Sequence, residues 1–600
     1  METCIKLTHT SRHGFKVSEV KADAVTHRAL IRKKFVDWKI LTLVFIFSLL
    51  YLIFHTLHIR DKPIYLIVFA EALMFFLVWN KVYQIFYDLK LLFFFNNEYD
   101  VNLEFPRGKD YPAISFVIAS YQEPFKVAKM TFDSVVNAPY KGRKEIIVVD
   151  NSRDVLSDDF IKWKKYVEEF TTLHPSQNIS ARFVYNHRRD TLKPGNLDLA
   201  EQFIKEGEFV VILDVDSTLP ANAELLERAV TEFMLDGKLG FLQFSMKATN
   251  YHFNNLTQSV AASQDLHRLR LTSRSYGGYK IFEGHNGMWR KSVLEKVGNW
   301  TDYYKGNIMI TEDILKSAQV YSNGYYGKSL HIMTGEWIPS SLNALESMWM
   351  RWTYGTSQVL FKYFNEIYSK RISLLEKFDI SYHVLHHFAH GFIIPMAILL
   401  QLIMPGPLST IFIVAVYILP QLIGAITIYF KSINRLEIPF LRKLGYIYGG
   451  YFLVDTFIMS TQLKSSINFL SGIPQGWKVT EKGIENSLAW KDLLLNKSFH
   501  ILIACVAIAV CIISWFINYD MEPAKLIHFS VLVFMAVNLV LSVVIFGKAG
   551  RKGHNDVESA IIDAIGEGND SERRLLAAIE IEELNNPELQ ESKIDSYTYH

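Results

Sequence analysis

The stretch VVILDVD at 210–216, with ITEDIL at 310–315 further along, decides how this 600-residue chain is read. Val210 to Leu213 is an apolar, largely β-branched run of the kind that forms a buried strand. It ends on two carboxylates, Asp214 and Asp216. A buried strand ends on a carboxylate at low cost only where that group faces a cleft, a metal or a ligand. EIIVVD at 145–150 repeats the ending with Asp150, and ITEDIL carries Glu312 and Asp313. The pair Arg351-Trp352 follows. A D-x-D supplies hard oxygen donors suited to Mg2+ or Mn2+ on a diphosphate. A further carboxylate is then left for proton transfer.

Around these points, strand-like runs recur at 113–119, 145–149, 182–185 and 209–213, separated by helical stretches such as 125–136 and 155–170. The alternation predicts an α/β domain with a parallel-rich sheet. Ligands bind such sheets at the carboxyl ends of the strands, here Ser120-Tyr121-Gln122-Glu123, Asp150-Asn151-Ser152 and Asp214-Val215-Asp216. TLKPGNLDLA at 191–200 offers Lys193 and backbone N–H groups at a helix start to a phosphate. FEGHNGMWRK at 282–291 flanks His285 and Asn286 with Gly284 and Gly287, a setting for close approach of backbone to ligand.

Half the residues are hydrophobic and 14% are aromatic, which with the length implies an integral membrane protein carrying a water-facing domain. Spans are expected near 40–59, 64–86, 383–404, 408–430, 499–518 and 526–546. Glu71, inside the second, is expected to face protein or a polar channel. Arg28, Arg32, Lys33, Lys34 and Lys39 precede the first span, and Lys548, Arg551 and Lys552 follow the last. By the positive-inside rule both termini and the 90–380 block are cytosolic. That parity holds only if 445–463, interrupted by Asp455 and glycines, does not cross, so 445–470 is expected as an amphipathic helix at the interface. The net charge of +2 and three scattered cysteines give no sign of a nucleic-acid face, a disulfide framework or a zinc site. No signal peptide is legible in the basic N-terminal segment.

These residues resemble the membrane-bound family-2 glycosyltransferases, the group of cellulose, curdlan, chitin and hyaluronan synthases. The resemblance implies a GT-A glycosyltransferase domain inserted in a transmembrane helical bundle, taking a UDP-sugar and inverting the anomeric centre to build a β-linked polysaccharide. Asp150 would contact the nucleotide and Asp214 and Asp216 the metal and diphosphate. Asp313 of Thr311-Glu312-Asp313 would be the general base. Ser120, Tyr121, Glu123, Lys193 and Arg351 join the donor side; Gly284, His285, Glu312 and Trp352 join the acceptor side. GWKVTEKG at 476–483 resembles the gating loop of cellulose-synthase-like enzymes, with Thr480 and Lys482 reaching the diphosphate. The family's Q-x-x-R-W has Met348 where Gln is expected, so the hydrogen bond that Gln gives the acceptor end is absent.

The implied organisation is a basic segment at 1–37, spans in 38–88, the GT-A domain at 89–335 and interface helices at 336–380. Spans in 381–430, a loop and interface helix at 431–475, the gating loop at 476–485, spans in 498–546 and an acidic tail at 547–600 complete it. The expected function is a processive synthase, most simply a β-glucan synthase using UDP-glucose, in the plasma membrane, with auxiliary subunits or self-association as optional partners. The alternatives are a chitin- or hyaluronan-type synthase using UDP-N-acetylglucosamine, a transferase onto a lipid phosphate, and a transporter that only senses nucleotide sugar.

Overall fold

The structure, a computed structural model, describes residues 4–9, 16–21, 45–50, 53, 64–93, 101–102 and 105–547. Within the last range 174–177, 189, 222–223, 252, 275–278, 370–371, 373, 404–405, 434–438, 477–489 and 518–522 lie outside the described residues. The gating-loop motif with Thr480 and Lys482, most of the first expected span, the tail beyond 547 and the side chain of Glu71 therefore fall outside it.

Seven strands form the central sheet: β1 Ile114–Ser120, β2 Lys144–Asp150, β3 Ile179–Tyr185, β4 Phe209–Asp214, β5 Leu239–Ala248, β6 Gly287–Arg290 and β7 Tyr326–Glu336. Their order is β7-β5-β6-β4-β1-β2-β3. The pairs are parallel except at β6, which runs antiparallel to both β4 and β5. Residues 116–119, 146–149 and 209–213 are continuously apolar because both faces of these strands are covered. Phe116, Ile118, Ile146 and Val148 point into one core with Phe132 and Trp163. Val117, Ile147, Val149 and Val210 point into the other with Leu197, Trp289 and Trp300. Each such buried Val, Ile or Phe stabilises by about 1.5–3 kcal/mol. In register, Ser120 pairs with Asp150 and Ala119 with Asp214, so the expected strand ends do gather on one edge.

Helix α1 (Ile64–Phe93) precedes the sheet. Helices α2 (Phe125–Asn137), α3 (Asp158–Leu173), α4 (Leu192–Glu201), α5 (Glu224–Leu235), α6 (Asn255–Arg274), α7 (Lys291–Val297) and α8 (Glu312–Ser322) flank or cross it. Helix α9 (Leu342–Lys362), capped by Ser341, then leads into the bundle. Among the described residues four helices are long and apolar enough to cross a membrane: Glu376–Leu402, Ser409–Lys431, Ser498–Ile517 and Pro523–Phe546.

Within the helix expected at the interface over 445–470, the middle is enclosed by protein. Thr456 to Leu463 are all buried, Ser465 and Ser466 likewise. Its polar groups explain how protein can enclose it: Asp455 is bonded by His390 (3.2 Å) and Gln421, while Gln462 Oε1 accepts from His390 Nδ1 (2.7 Å) and its Nε2 donates to His387 Nδ1 (3.0 Å). Such side chains are tolerated away from water when they pair with one another. Glu346 of α9 ties this helix to the next span, bonded by Lys464 (2.7 Å) and by Lys497, with His500 at 3.4 Å. Lys497 is 1% exposed. Glu346→Ala would strand that charge, and breaking a buried pair costs about 3–5 kcal/mol. Its detergent-solubilised melting temperature is expected to fall well below that of wild type, with Glu346→Gln between them.

Candidate active site

Above the strand ends opens a cavity of about 590 Å³, lined from β1, β4, α4, α8, α9 and the loops at 283–285 and 336–340. Three backbone devices shape it. Gln122 (φ 50°) and Leu192 (φ 54°) line the cavity in the left-handed region, and Asn286 (φ 52°) adjoins it. Non-glycine residues hold that conformation only where the surroundings over-determine it, which is common at functional loops. Next, the D-x-D turn is locked to the end of β7: Thr218 and Gly335 exchange both backbone hydrogen bonds (3.1 and 2.8 Å), and Asn286 Nδ2 donates to Gly335 O (3.0 Å). A Cβ at Gly335 would meet Thr218 Oγ1 at 2.0 Å, so only glycine fits. Finally, Gly355 lets α9 come against Thr311, since a Cβ there would lie 2.4 Å from Thr311 Cγ2. Gln358, on the same helix, donates to Ile308 O and accepts from Ile310 N (3.1 and 3.2 Å). That contact brings Arg351 and Trp352, one turn earlier on α9, onto the wall beside Glu312 and Asp313.

At the centre, Lys193 Nζ lies 2.5 Å from Asp214 Oδ1, 3.8 Å from Glu312 and 3.1 Å from the Gly284 carbonyl oxygen, to which it donates. Burial works against its charge, but Asp214, Glu312 and Asp313 together raise its pKa. Asp313 is half-buried, and its partial loss of solvent together with the neighbouring Glu312 pushes its carboxyl up to about 7. Burial raises Glu312 too, with Lys193 opposing. Asp313 Oδ1 accepts from Ile314 N (2.8 Å), and Oδ2 faces Gly284, whose backbone (φ 89°) leaves the space open. Arg351 is disfavoured by burial and supported by Glu312 and Asp214. A carboxyl near 7 is poised for general-base work. Activity is therefore expected to fall about tenfold per pH unit below 7 and to level off above it. Lys193→Met, which removes a charge that lowers the pKa of Asp313, should move that limb to higher pH. A kcat/KM profile flat from pH 5 to 8 would contradict the assignment.

The cavity thus gathers Ser120, Tyr121, Glu123, Lys193, Asp214, Asp216, Gly284, His285, Glu312, Asp313, Arg351 and Trp352. Asp150 is different. It is 1% exposed, accepts from Ser152 N (2.7 Å), and lies beneath the wall, while its neighbours Asn151 and Arg153 line the cavity. His285 sits between Ser217 (3.3 Å) and Glu336 (3.6 Å). Glu336, Glu283, Gln264 and Trp337 line the cavity although no sequence motif singled them out. For Glu336 the signal was present, because it too ends a strand on a carboxylate, but Gly335 masked the end of the run.

Asp214 and Asp216 share one wall, and among the described residues no group of three or more His, Cys, Asp or Glu converges as a cage. Two carboxylates open to a cavity fit a divalent cation that completes its shell with phosphate oxygens and water.

Residues 209–430 match the family model described as Glycosyl transferase family group 2. The chain is 24% identical over 399 residues to glucomannan 4-beta-mannosyltransferase 7 of Arabidopsis thaliana, covering 62% of this chain and 65% of that protein. It is 23% identical over 279 residues to the probable glucomannan 4-beta-mannosyltransferase 6 of Oryza sativa subsp. japonica, covering 45% and 46%. The chain thus spans less than two thirds of the length of these relatives. Among solved structures it is similar to the mannosyltransferase PcManGT from Pyrobaculum calidifontis in complex with GDP-Man and Mn2+. That likeness has a TM-score of 0.42 at 16% identity, over 66% of this chain and 97% of the other. The chain thus joins a parallel-rich, helix-flanked sheet and, among the described residues, four helices long and apolar enough to cross a membrane to a segment, 209–430, that is similar to the glycosyl transferases of family group 2.

Proposed function

We propose that the chain is an inverting synthase that transfers a hexosyl group from a nucleotide sugar to the hydroxyl of a β-linked glycan. The observation that carries this is the convergence of Asp313, Glu312, Lys193, Asp214, Arg351 and Trp352 on one cavity. The acceptor oxygen attacks C1 of the donor sugar, its proton passes to Asp313 Oδ2, and the bond from C1 to the diphosphate breaks. Alignment of acceptor, C1 and leaving group opposite one another supplies much of the rate. Arg351 and Lys193 offset charge gathering on the departing diphosphate. Trp352 offers a flat apolar face to a sugar ring. Asp214 and Asp216 would hold Mg2+ or Mn2+, which supplies positive charge to the phosphates when bound. Asp150, buried beneath Asn151, supports the nucleotide end of the wall.

Continuing this reading, the catalytic domain faces the cytosol at the plasma membrane. The growing polymer leaves through the bundle, and the loop at 476–483 closes over the nucleotide with Thr480 and Lys482. Closure would exclude water, which otherwise hydrolyses the activated sugar. UDP-glucose is the first donor on the motif reading. The names of the relatives favour a second, a mannosyl donor feeding a β-mannan or glucomannan. The purified chain, incubated with labelled UDP-glucose, GDP-mannose and UDP-N-acetylglucosamine and Mg2+ or Mn2+, is expected to extend a polymer from one of them. Linkage-specific glycanases identify the product. No incorporation from any of the three would sink the proposal.

A further inference from the structure

Part of the cavity lining is apolar: Met348, Trp352 and Ile338 belong to one hydrophobic cluster, Pro339 follows Ile338, and together they offer a sugar little side-chain hydrogen bonding. Two polar atoms break that apolar surface. Gln264 Oε1 of α6 and Trp337 Nε1, just past β7, are both buried, and neither has a hydrogen-bond partner. Both side chains line the cavity.

The two come from distant parts of the chain whose backbones are tied together. Asn250 Nδ2 donates to Ile338 O (2.9 Å), its Oδ1 accepts from Ile338 N (3.0 Å), and Asn254 Nδ2 donates to Ser340 O (2.9 Å). These bonds clamp 337–340 to the segment that starts α6. Arg268, one turn beyond Gln264 on the same helix face, feels the charge of Glu336, the residue before Trp337.

A buried amide oxygen or indole N–H left unmade costs about 1–3 kcal/mol. Such atoms persist where a ligand completes them. One acceptor and one donor beside an aromatic face are complementary to a sugar, whose hydroxyls both donate and accept and whose C–H face is apolar. A nucleotide diphosphate would demand cations instead, the chemistry that Lys193 and Arg351 bring to the cavity. We propose that Gln264 and Trp337 form a subsite for the acceptor sugar, with Gln264 accepting from and Trp337 donating to its hydroxyls. The proposal rests on the transferase reading above and deepens it.

The test uses the full chain in detergent, the donor identified by the panel, and short β-linked gluco- and manno-oligosaccharides as acceptor probes. Gln264→Leu and Trp337→Phe, the second keeping an aromatic ring and removing the N–H, should each raise acceptor KM about tenfold while donor KM moves less than twofold. Met348→Gln added to Gln264→Leu should recover at least threefold of that loss by restoring an amide to the same cavity. Retained nucleotide binding by titration calorimetry certifies the fold of each variant. Acceptor KM within twofold of wild type in both single variants overturns the subsite, as does a parallel rise in donor and acceptor KM. If wild type transfers to none of these probes yet still makes polymer, the acceptor subsite alone is rejected. If it makes none, the transferase reading fails first.

Discussion

Asp313→Asn should lower turnover by about 10²–10⁴-fold, the usual contribution of a positioned general base, or about 3–5 kcal/mol of barrier. Nucleotide affinity should change little. The amide keeps the shape of the side chain, and its oxygen can still accept from Ile314 N, now 2.8 Å from Oδ1. What it loses is proton affinity at the oxygen facing Gly284. The charge change also relieves Glu312, whose burial beside Asp313 makes two carboxylates compete for ionisation. Single-turnover kinetics and nucleotide titration on the same preparation separate the two effects. Turnover within tenfold of wild type, or a matching loss of nucleotide binding, would remove Asp313 from the base role.

Asp214→Asn should act on the donor instead, weakening nucleotide-sugar binding about a hundredfold and blunting its response to Mg2+ or Mn2+. Two losses combine. A hard anionic oxygen is replaced by a neutral one, and Lys193 loses the partner at 2.5 Å that holds its ammonium in the cavity. Lys193 would then turn towards Glu312, now at 3.8 Å, and draw its charge away from the phosphates. Asp216→Asn should show the metal effect with less of the second. The discriminating measurement is donor KM against metal concentration for both variants with EDTA controls. Wild-type activity that persists fully in EDTA would end the metal assignment, and equal effects in the two variants would end the special role of the Lys193 pair.

Much of the architecture was legible before any coordinates. Strands buried on both faces must be continuously apolar, so β1, β2 and β4 stand out, and the carboxylates that end β2 and β4 point to the edge where the cavity opens. The TED segment and Arg351-Trp352 are local in sequence and could be read as motifs. Four long apolar helices need no tertiary information, since length and composition alone satisfy the requirement.

Tertiary structure decided what depends on residues meeting from distant segments. The reversal of β6 between β4 and β5 is a matter of pairing, invisible in a four-residue strand. Parity of the spans set 445–470 at the interface, but that Asp455, Gln462 and Lys464 of this helix are bonded by His390, Gln421 and Glu346 is known only from the tertiary structure. Asp150 ends its strand like Asp214, yet one lies under the wall and the other on it, because the turn after β2 folds Ser152 N onto the Asp150 carboxylate. Gln264 and Trp337 carry no motif at all. Their meaning comes from sharing a cavity wall without partners, and sequence distance hides that from any pattern along the chain.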